Sequence, residues 1–264
     1  MLKASIIALS FLLASGASYA LESRPVSWTT DGVAYEGTLV FDKAALKKAK
    51  GKKLPGVLVV HQWMGPTAHE RERAERLAGL GYVALVADVY GKDTRPADTA
   101  AAGAASGRFK NDRAELRRRM ADNLRVLVAQ PEVDGARTAA IGFCFGGTAV
   151  LELARAGAAI DGVVSFHGGL DSPAPADGKN ITAKVLVLHG AADPFVKQPD
   201  IQAFIAELDQ ARVDWQKVDY AGAVHSFTQR GAGDDPSKGA AYDERADRRS
   251  WEAMRDFLGE ALAP

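Results

Sequence analysis

The chain has 264 residues, and its 33 lysine and arginine residues equal its 33 aspartate and glutamate residues. This balance gives no reason to expect binding to nucleic acid or to an anionic membrane over the whole surface. Because Cys144 is the only cysteine, the chain cannot form an internal disulfide. The thiol is therefore either a small buried hydrophobic group or a reactive group.

The first twenty residues have the pattern of an export signal. An apolar run at 6–14, too short to span a bilayer, is followed by small residues spaced as a signal peptidase requires. We expect cleavage after this segment, so that Leu21 begins a periplasmic or secreted protein; a retained N-terminal anchor is the alternative. Residues 21–264 have the length of one domain with a substantial core, and we expect no membrane insertion after removal of the signal.

Beyond the signal, a predicted hairpin is followed by alternating strands and helices. An Asp-Gly turn joins two alternating segments within 26–41, which predicts antiparallel strands at a sheet edge. Apolar runs predict buried strands at 56–61, 82–90, 138–143, 162–167 and 184–190, and a further strand is expected at 213–220. Helical repeats lie at 74–78, 116–128, 201–208 and 251–261. This order predicts an α/β fold, with a mostly parallel sheet and helices on both faces.

Three longer stretches interrupt the alternation, at 91–110, 169–180 and 230–243. Long loops in a compact domain are usually functional or mobile, and open α/β sheets bind ligands beyond the carboxyl ends of their strands. The alanines of 91–110 are equally compatible with a short helix.

The single cysteine lies in a glycine turn between a predicted strand and a predicted helix. Residues 142–147, Gly-Phe-Cys-Phe-Gly-Gly, match the pattern G-x-nucleophile-x-G of a nucleophile elbow. The helix that begins at Gly146 directs its N-terminal dipole at the sulfur, which favours the thiolate. This context favours a catalytic role for Cys144 over a packing role.

A thiol nucleophile needs a base, and the base needs an orienting group. His225 follows the strand at 213–220, and Asp193 follows the strand at 184–190. Taken alone, His225 has the pattern of a histidine in a surface loop, and Asp193 has the pattern of a turn-forming aspartate before proline. The order Cys144, Asp193, His225 is the nucleophile–acid–histidine order of α/β-hydrolases, and all three follow strands at one sheet edge. We therefore predict that these three residues form a catalytic triad.

The other histidines have simpler interpretations. His69 lies in a charged helix and is expected to be solvated, whereas His167 and His189 end strands and are expected to form structural hydrogen bonds. No HExxH motif or paired Cys/His spacing occurs, so a zinc site is not expected.

An oxyanion hole needs two preorganised donors. The backbone N–H of Phe145, the residue after the nucleophile, is one candidate. The loop at 61–66 supplies the other, for which we select the backbone N–H of Trp63. The Trp63 side chain is also expected to pack over the sheet edge, which is compatible with this role of its backbone.

Together these residues resemble the dienelactone hydrolase family of α/β-hydrolases. The resemblance rests on HQWMG at 61–65, DVYG at 88–91, VDGARTAAIGFCFGG at 133–147, LHGAADPFV at 188–196 and YAGAVHSF at 220–227. It implies an α/β-hydrolase fold and a cofactor-independent hydrolase of small esters or lactones, with a Cys-His-Asp triad and an acyl-thiol intermediate. By position it also implies that Phe195 lines the substrate pocket and that Ser226 is a polar residue beside the histidine.

One position departs from the family pattern beside the nucleophile. Well-studied members have a glutamate that holds the resting thiol, and here this position is the pocket residue Gln62. An amide cannot accept a proton or add negative charge. We therefore expect Cys144 to pair directly with His225, as a more permanent and more easily oxidised thiolate. A Cys144 pKa near the ordinary value of about 8.5 would contradict this.

The second departure concerns the arginines that bind a substrate carboxylate in well-studied members. One of these positions is Gln229 here, with Arg230 next to it. Arg108 and Arg113 are alternatives on the loop side, whereas residues 117–119 are expected to form a solvated helix face. The identity of the substrate therefore stays open.

The leading interpretation is a hydrolase of a small-molecule ester or lactone, expected to be a monomer. Thioester and small amide substrates stay open, because they would use the same triad. A catalytically weak exported ligand-binding protein on the same fold is the alternative from another class, and it predicts binding without an acyl-enzyme. A redox-sensing thiol is disfavoured, because no resolving cysteine is present.

Overall fold

The computed structural model describes residues 20–264, so the predicted export signal lies, except for Ala20, outside the described residues. The strands are β1 Leu21–Thr30, β2 Val33–Asp42, β3 Leu54–Val60, β4 Val83–Val86, β5 Val133–Phe143, β6 Gly162–Phe166, β7 Lys184–Gly190 and β8 Trp215–Tyr220. The helices are α1 Lys43–Lys48, α2 Ala68–Gly79, α3 Thr99–Asn111, α4 Arg113–Val128, α5 Phe145–Arg155, α6 Gln198–Ala211 and α7 Glu244–Ala261.

The strands form one sheet in the order β1-β2-β4-β3-β5-β6-β7-β8. The hairpin of β1 and β2 is antiparallel, β2 is antiparallel to β4, and the pairs from β4 to β8 are parallel. The predicted mostly parallel sheet with an N-terminal antiparallel hairpin is therefore confirmed.

Alternate residues of the strands pack against helices on opposite faces, as expected for a sheet buried on both sides. Leu58 belongs to a core that includes side chains of α3, α4, α5 and α6. Its neighbours Val57 and Val59 belong to a second core with side chains of α2 and α7. The prediction of helices on both faces is confirmed.

One local prediction needs correction, and one alternative that the sequence left open is decided. The strand predicted at 82–90 ends at Val86, because the chain then turns around the buried Asp88 carboxylate, which accepts hydrogen bonds from the backbone N–H groups of Gly91 at 2.9 Å and Glu36 at 3.2 Å. The stretch at 91–110 is largely helical, since it contains a short 3-10 turn and most of α3.

Four segments that bear the candidate residues meet at the carboxyl edge of the sheet. They follow β3, β5, β7 and β8, and the first two of these strands are direct neighbours. Between residues 20 and 264, no helix is both long and apolar enough to cross a membrane.

Candidate active site

Cys144 lies at a sharp strand-to-helix turn with a strained backbone. Its φ of 54° and ψ of −114° are unusual for a residue with a side chain. A Cβ at Gly142 would lie 2.0 Å from the Gly146 carbonyl oxygen, and a Cβ at Gly146 would lie 2.4 Å from the Val60 carbonyl oxygen. The sequence therefore places glycine where the turn has no space for a side chain, in the geometry of a nucleophile elbow.

The structure brings Cys144, His225 and Asp193 together in a line. The His225 Nε2 lies 3.0 Å from the Cys144 Sγ, and the His225 Nδ1 lies 2.8 Å from the Asp193 Oδ2. The Asp193 side chain is fully buried, and its other oxygen accepts a hydrogen bond from the Phe195 backbone N–H at 2.8 Å. These contacts fix the orientation of the imidazole ring on both sides.

Electrostatics favour a thiolate paired with an imidazolium. Burial opposes ionisation of the Cys144 thiol, but the charge and hydrogen bond of His225 outweigh it and lower the pKa of Cys144. Burial likewise disfavours the charged form of His225, yet the Cys144 thiolate and the Asp193 carboxylate raise the pKa of His225 to about 10. Between these two pKa values the ion pair is the stable state.

The two candidate oxyanion donors lie on neighbouring segments. Phe145 is the first residue of α5, directly after the nucleophile, and its backbone N–H is one of the groups that lower the pKa of Cys144. Trp63 lies in the segment after β3, where its carbonyl oxygen accepts a hydrogen bond from the Tyr90 hydroxyl at 2.9 Å. Its side chain is 37% exposed, so the indole covers the sheet edge only in part.

Gln62 is buried and uses its side chain within its own loop. Its Oε1 accepts a hydrogen bond from the Met64 backbone N–H at 3.0 Å, and its backbone N–H donates to the Glu70 carboxylate at 3.3 Å. The side-chain partner of Cys144 is His225 rather than this amide. The arrangement agrees with the expected direct pairing of Cys144 with His225.

A cavity of about 570 Å³ is lined by chain neighbours of the site residues, although Cys144, Asp193 and His225 themselves do not line it. Its walls come from the segment after β3, the start of α2 and the segment after β8, and they include Gln62, Trp63 and Ser226. Phe195 does not line this cavity. It is 62% exposed, and its ring stands edge-on to the His225 ring at 5.4 Å, on another side of the imidazole.

For three other histidines the sequence predicts an environment, and two of them differ from that prediction. His167 is fully buried and hydrogen-bonded, as predicted. His189 is also buried, but its Nδ1 has no hydrogen-bond partner among the described residues. His69 is not solvated, because it lies edge-on against the Phe143 ring at 4.9 Å and burial lowers its pKa.

The arginines also differ from expectation, because carboxylates and an aromatic ring hold several of them. Arg113 is buried and contacts Asp171 at 2.6 Å, so its side chain is already engaged. Arg117 reaches the fully buried Glu152 at 2.7 Å, and Arg119 lies over the Tyr35 ring at 4.9 Å. The prediction of a solvated face at 117–119 is therefore correct only for Arg118.

Two of the candidate arginines are exposed. Arg108, near the end of α3, lies 5.1 Å over the Phe109 ring, and Arg230 lines the cavity together with Gln229. In the described part of the chain, no three His, Cys, Asp or Glu side chains cluster as metal ligands would.

Two polar residues support this site in a way not expected from the sequence, which indicated only a structural hydrogen bond for His167 and did not single out Thr228. The His167 Nδ1 accepts a hydrogen bond from the Cys144 backbone N–H at 3.1 Å, and its Nε2 lies 2.8 Å from the Thr228 hydroxyl. The first contact follows from the register of β5 and β6, in which Phe143 pairs with Phe166, so the next residue of each strand is adjacent. The signal available in the sequence was that Cys144 and His167 stand at the ends of two strands that could pair.

Comparison with known proteins agrees with the geometry. The sequence model of the dienelactone hydrolase family matches residues 42–262. The chain belongs to the dienelactone hydrolase family. This membership makes it a hydrolase of carboxylic esters or lactones with the α/β-hydrolase fold.

Two solved structures and one curated protein are similar over most of their own length. The structure named m3DLH is 43% identical with a TM-score of 0.86, and it is matched over 92% of this chain and 100% of its own. The dienelactone hydrolase-like promiscuous phosphotriesterase P91 from metagenomic libraries is 41% identical with a TM-score of 0.85, with the same coverage. The uncharacterized protein K02A2.1 of Caenorhabditis elegans is 37% identical over 56% of this chain and 96% of its own length.

Proposed function

We propose that this member hydrolyses small esters or lactones through an acyl-thiol intermediate on Cys144. The observation that carries the proposal is the line of contacts from the Cys144 Sγ to the His225 Nε2 at 3.0 Å and from the His225 Nδ1 to Asp193 at 2.8 Å. Asp193 orients the imidazole and stabilises its charge. The backbone N–H groups of Phe145 and Trp63 bind the oxyanion.

In the acylation half of the proposed reaction, the Cys144 thiolate attacks the carbonyl carbon and forms a tetrahedral oxyanion. As the intermediate collapses, the C–O bond to the leaving alkoxide breaks, and the alkoxide takes the proton from His225 Nε2. For a lactone, the alcohol formed stays attached to the acyl group.

In the second half, water attacks the thioester while the His225 Nε2 accepts its proton. Collapse of the new tetrahedral intermediate breaks the C–S bond and releases the acid. The thiolate returns to its ion pair with the imidazolium, so the resting enzyme is ready to attack without a prior proton transfer.

The substrate is proposed to be small and to place one end in the cavity beside Gln62 and Ser226, with Phe195 forming the outer wall over His225. Arg113 is held by Asp171, so it is not free for a substrate carboxylate. Arg73 and Arg230 both line the cavity, and Arg73 is held by Asp247 at 2.9 Å, so Arg230 is the proposed partner of a substrate carboxylate. Export to the periplasm or outside the cell remains part of the proposal, on the sequence of the first twenty residues alone.

A second activity, on phosphotriesters, is favoured by the 41% identity to the promiscuous phosphotriesterase P91. The same thiolate would attack phosphorus instead of carbon, with the same oxyanion donors. The P–O bond to the aryloxide would break, and water would then cleave the P–S bond, which releases the phosphodiester and restores the thiolate. Comparison of p-nitrophenyl diethyl phosphate with p-nitrophenyl acetate as substrates tests this activity, and loss of both hydrolyses together in Cys144→Ala would support one shared site.

The principal test is a p-nitrophenyl acetate time course on the purified protein, Cys144→Ala and His225→Ala, with Arg125→Ala, at an exposed position of α4, as the control. We expect a p-nitrophenol burst and turnover in the wild type and the control, and neither in the first two variants. Mass spectrometry of the quenched wild type should show one acetyl group on Cys144. Equal and trivial rates in all four proteins would instead favour the ligand-binding alternative.

A further inference from the structure

His167 is a buried histidine whose two ring nitrogens contact different parts of the active site. It is fully buried, and its φ of 41° lies in the left-handed region that residues with side chains rarely adopt. The Nδ1 lies 3.1 Å from the Cys144 backbone nitrogen, and the Nε2 lies 2.8 Å from the Thr228 hydroxyl oxygen. A side chain held in a strained conformation with both nitrogens engaged indicates a specific role.

The geometry specifies which nitrogen of His167 carries the proton. The backbone N–H of Cys144 is a donor, so Nδ1 accepts from it and the ring proton resides on Nε2. Nε2–H therefore donates to the Thr228 hydroxyl. A second proton would remove the acceptor at Nδ1 and leave the Cys144 N–H with the Phe166 carbonyl oxygen, at 3.0 Å, as its remaining acceptor.

The charged groups around the ring also keep it neutral. His225 stands edge-on to His167 at 5.3 Å, and His69 and Arg73 face it from α2. Burial, followed by the charges of His225 and His69, lowers the pKa of His167 well below its ordinary value. The thiolate–imidazolium pair itself is faced by Asp193 and by Lys110 from α3.

His167 thereby connects the turn that carries Cys144 with the segment that carries His225. Thr228 lies three residues after His225 and is 1% exposed. The Thr228 carbonyl oxygen accepts a hydrogen bond from Arg73 at 2.8 Å, and Arg73 contacts Asp247 at 2.9 Å. The segment is thus anchored on α2 and α7, and His167 is the bridge from that anchor to the nucleophile.

We propose that His167 is a positioning residue, which as a neutral Nε2–H imidazole sets the separation of the Cys144 sulfur and the His225 ring. The inference rests on the proposed catalytic roles of those two residues. Without the Thr228 hydroxyl, a buried Nε2–H has no acceptor, and relief of that unsatisfied donor requires the ring or its neighbouring segment to move. Either movement lengthens the contact between sulfur and imidazole and weakens stabilisation of the thiolate.

The test uses the fact that Cys144 is the only cysteine, so the rate of alkylation by iodoacetamide against pH measures its ionisation without any turnover. We expect Thr228→Val to raise the Cys144 pKa and to lower the alkylation rate at about pH 6 by about fivefold. Thr228→Ser keeps the hydroxyl and should retain the wild-type profile. Thr148→Val is the matched control, because it removes a fully buried hydroxyl that donates to the Gly169 carbonyl at 3.1 Å and does not touch His167.

Two further variants each keep only one of the two hydrogen bonds of the ring. They also serve as the test if Thr228→Val does not fold. His167→Asn keeps an acceptor near the position of Nδ1 and suits the left-handed backbone, whereas His167→Gln keeps a donor near Nε2. Both should shift the profile in the same direction as Thr228→Val. A wild-type profile in Thr228→Val, or in both His167 variants, would overturn the inference.

Failure of the proposed function gives a different result. Full esterase activity in Cys144→Ala would refute the triad whatever the alkylation profiles show. An inactive Cys144→Ala together with an unchanged Thr228→Val profile would refute only the role of His167.

Discussion

Substitution of Gly142 by alanine is the sharpest single perturbation of the nucleophile elbow. The new Cβ would lie 2.0 Å from the Gly146 carbonyl oxygen, whereas real Cβ contacts essentially never fall below 3.0 Å. The strand end and the first turn of α5 must therefore separate by about 1 Å. Strain of this kind costs about 3–4 kcal/mol in free energy of unfolding, against a total of about 5–15 kcal/mol for a typical domain.

The same movement displaces Cys144, which lies between the two glycines. A displacement of 1 Å at a reacting group costs about 100-fold in rate, so kcat for p-nitrophenyl acetate should fall by that factor in protein that is still folded. Urea unfolding followed by circular dichroism measures the stability, and initial rates measure the activity. Both are needed, because loss of folded protein alone would lower the apparent rate.

Gly107→Ala is the control, because a Cβ at Gly107, in α3, meets nothing within 4 Å. This variant should be as stable as the wild type or more stable, by up to about 1 kcal/mol, since alanine favours a helix over glycine. If Gly142→Ala unfolded within about 0.5 kcal/mol of the wild type and kept its activity, the account of the elbow would be wrong.

Two other substitutions test the site and the buried charges. Asp193→Asn removes a carboxylate that, with the Cys144 thiolate, keeps the pKa of His225 high against burial. The alkaline limb of the pH–rate profile should therefore move to lower pH, and kcat should fall by about 10³–10⁴. An unchanged alkaline limb would contradict this. Arg155→Met should cost about 3–5 kcal/mol of stability in urea, because it leaves the buried Glu207 carboxylate, 2.7 Å away, without its cation, while Glu152 keeps Arg117. Arg248→Met, at an exposed pair, should change stability by less than about 0.5 kcal/mol, and equal losses in both would refute the argument.

The mostly parallel sheet and the order of strands and helices along the chain could be predicted, because each parallel strand is a continuous apolar run and each predicted helix has its own apolar repeat. These are local patterns, and they follow from burial on both faces of the sheet. The end of β4 at Val86 was not visible in the same way, because residues 87–90 are also apolar apart from one aspartate. What ends the strand is the bonding of Asp88 to backbone groups of other segments.

The charged side chains were the least predictable part of the molecule. The sequence at 117–119 predicts an exposed basic stripe. In the structure, Arg117 pairs with the buried Glu152 carboxylate on α5, and Arg119 lies over the Tyr35 ring of β2. His69 likewise reads as a surface residue and packs on Phe143. The sequence does not show which face of a helix meets charged partners from distant segments.

The sequence by itself determined the order of the strands and helices, the hairpin and the position of the nucleophile turn, because these depend on residue spacing and on where glycine is required. It also predicted the residues that meet at the carboxyl edge, since parallel strands bring their following residues together. Only the tertiary structure decided the 3.0 Å contact of Cys144 with His225, the inward turn of Gln62 and the bridge through His167. Those contacts depend on strand register and on packing between segments far apart in the chain, which no local pattern encodes.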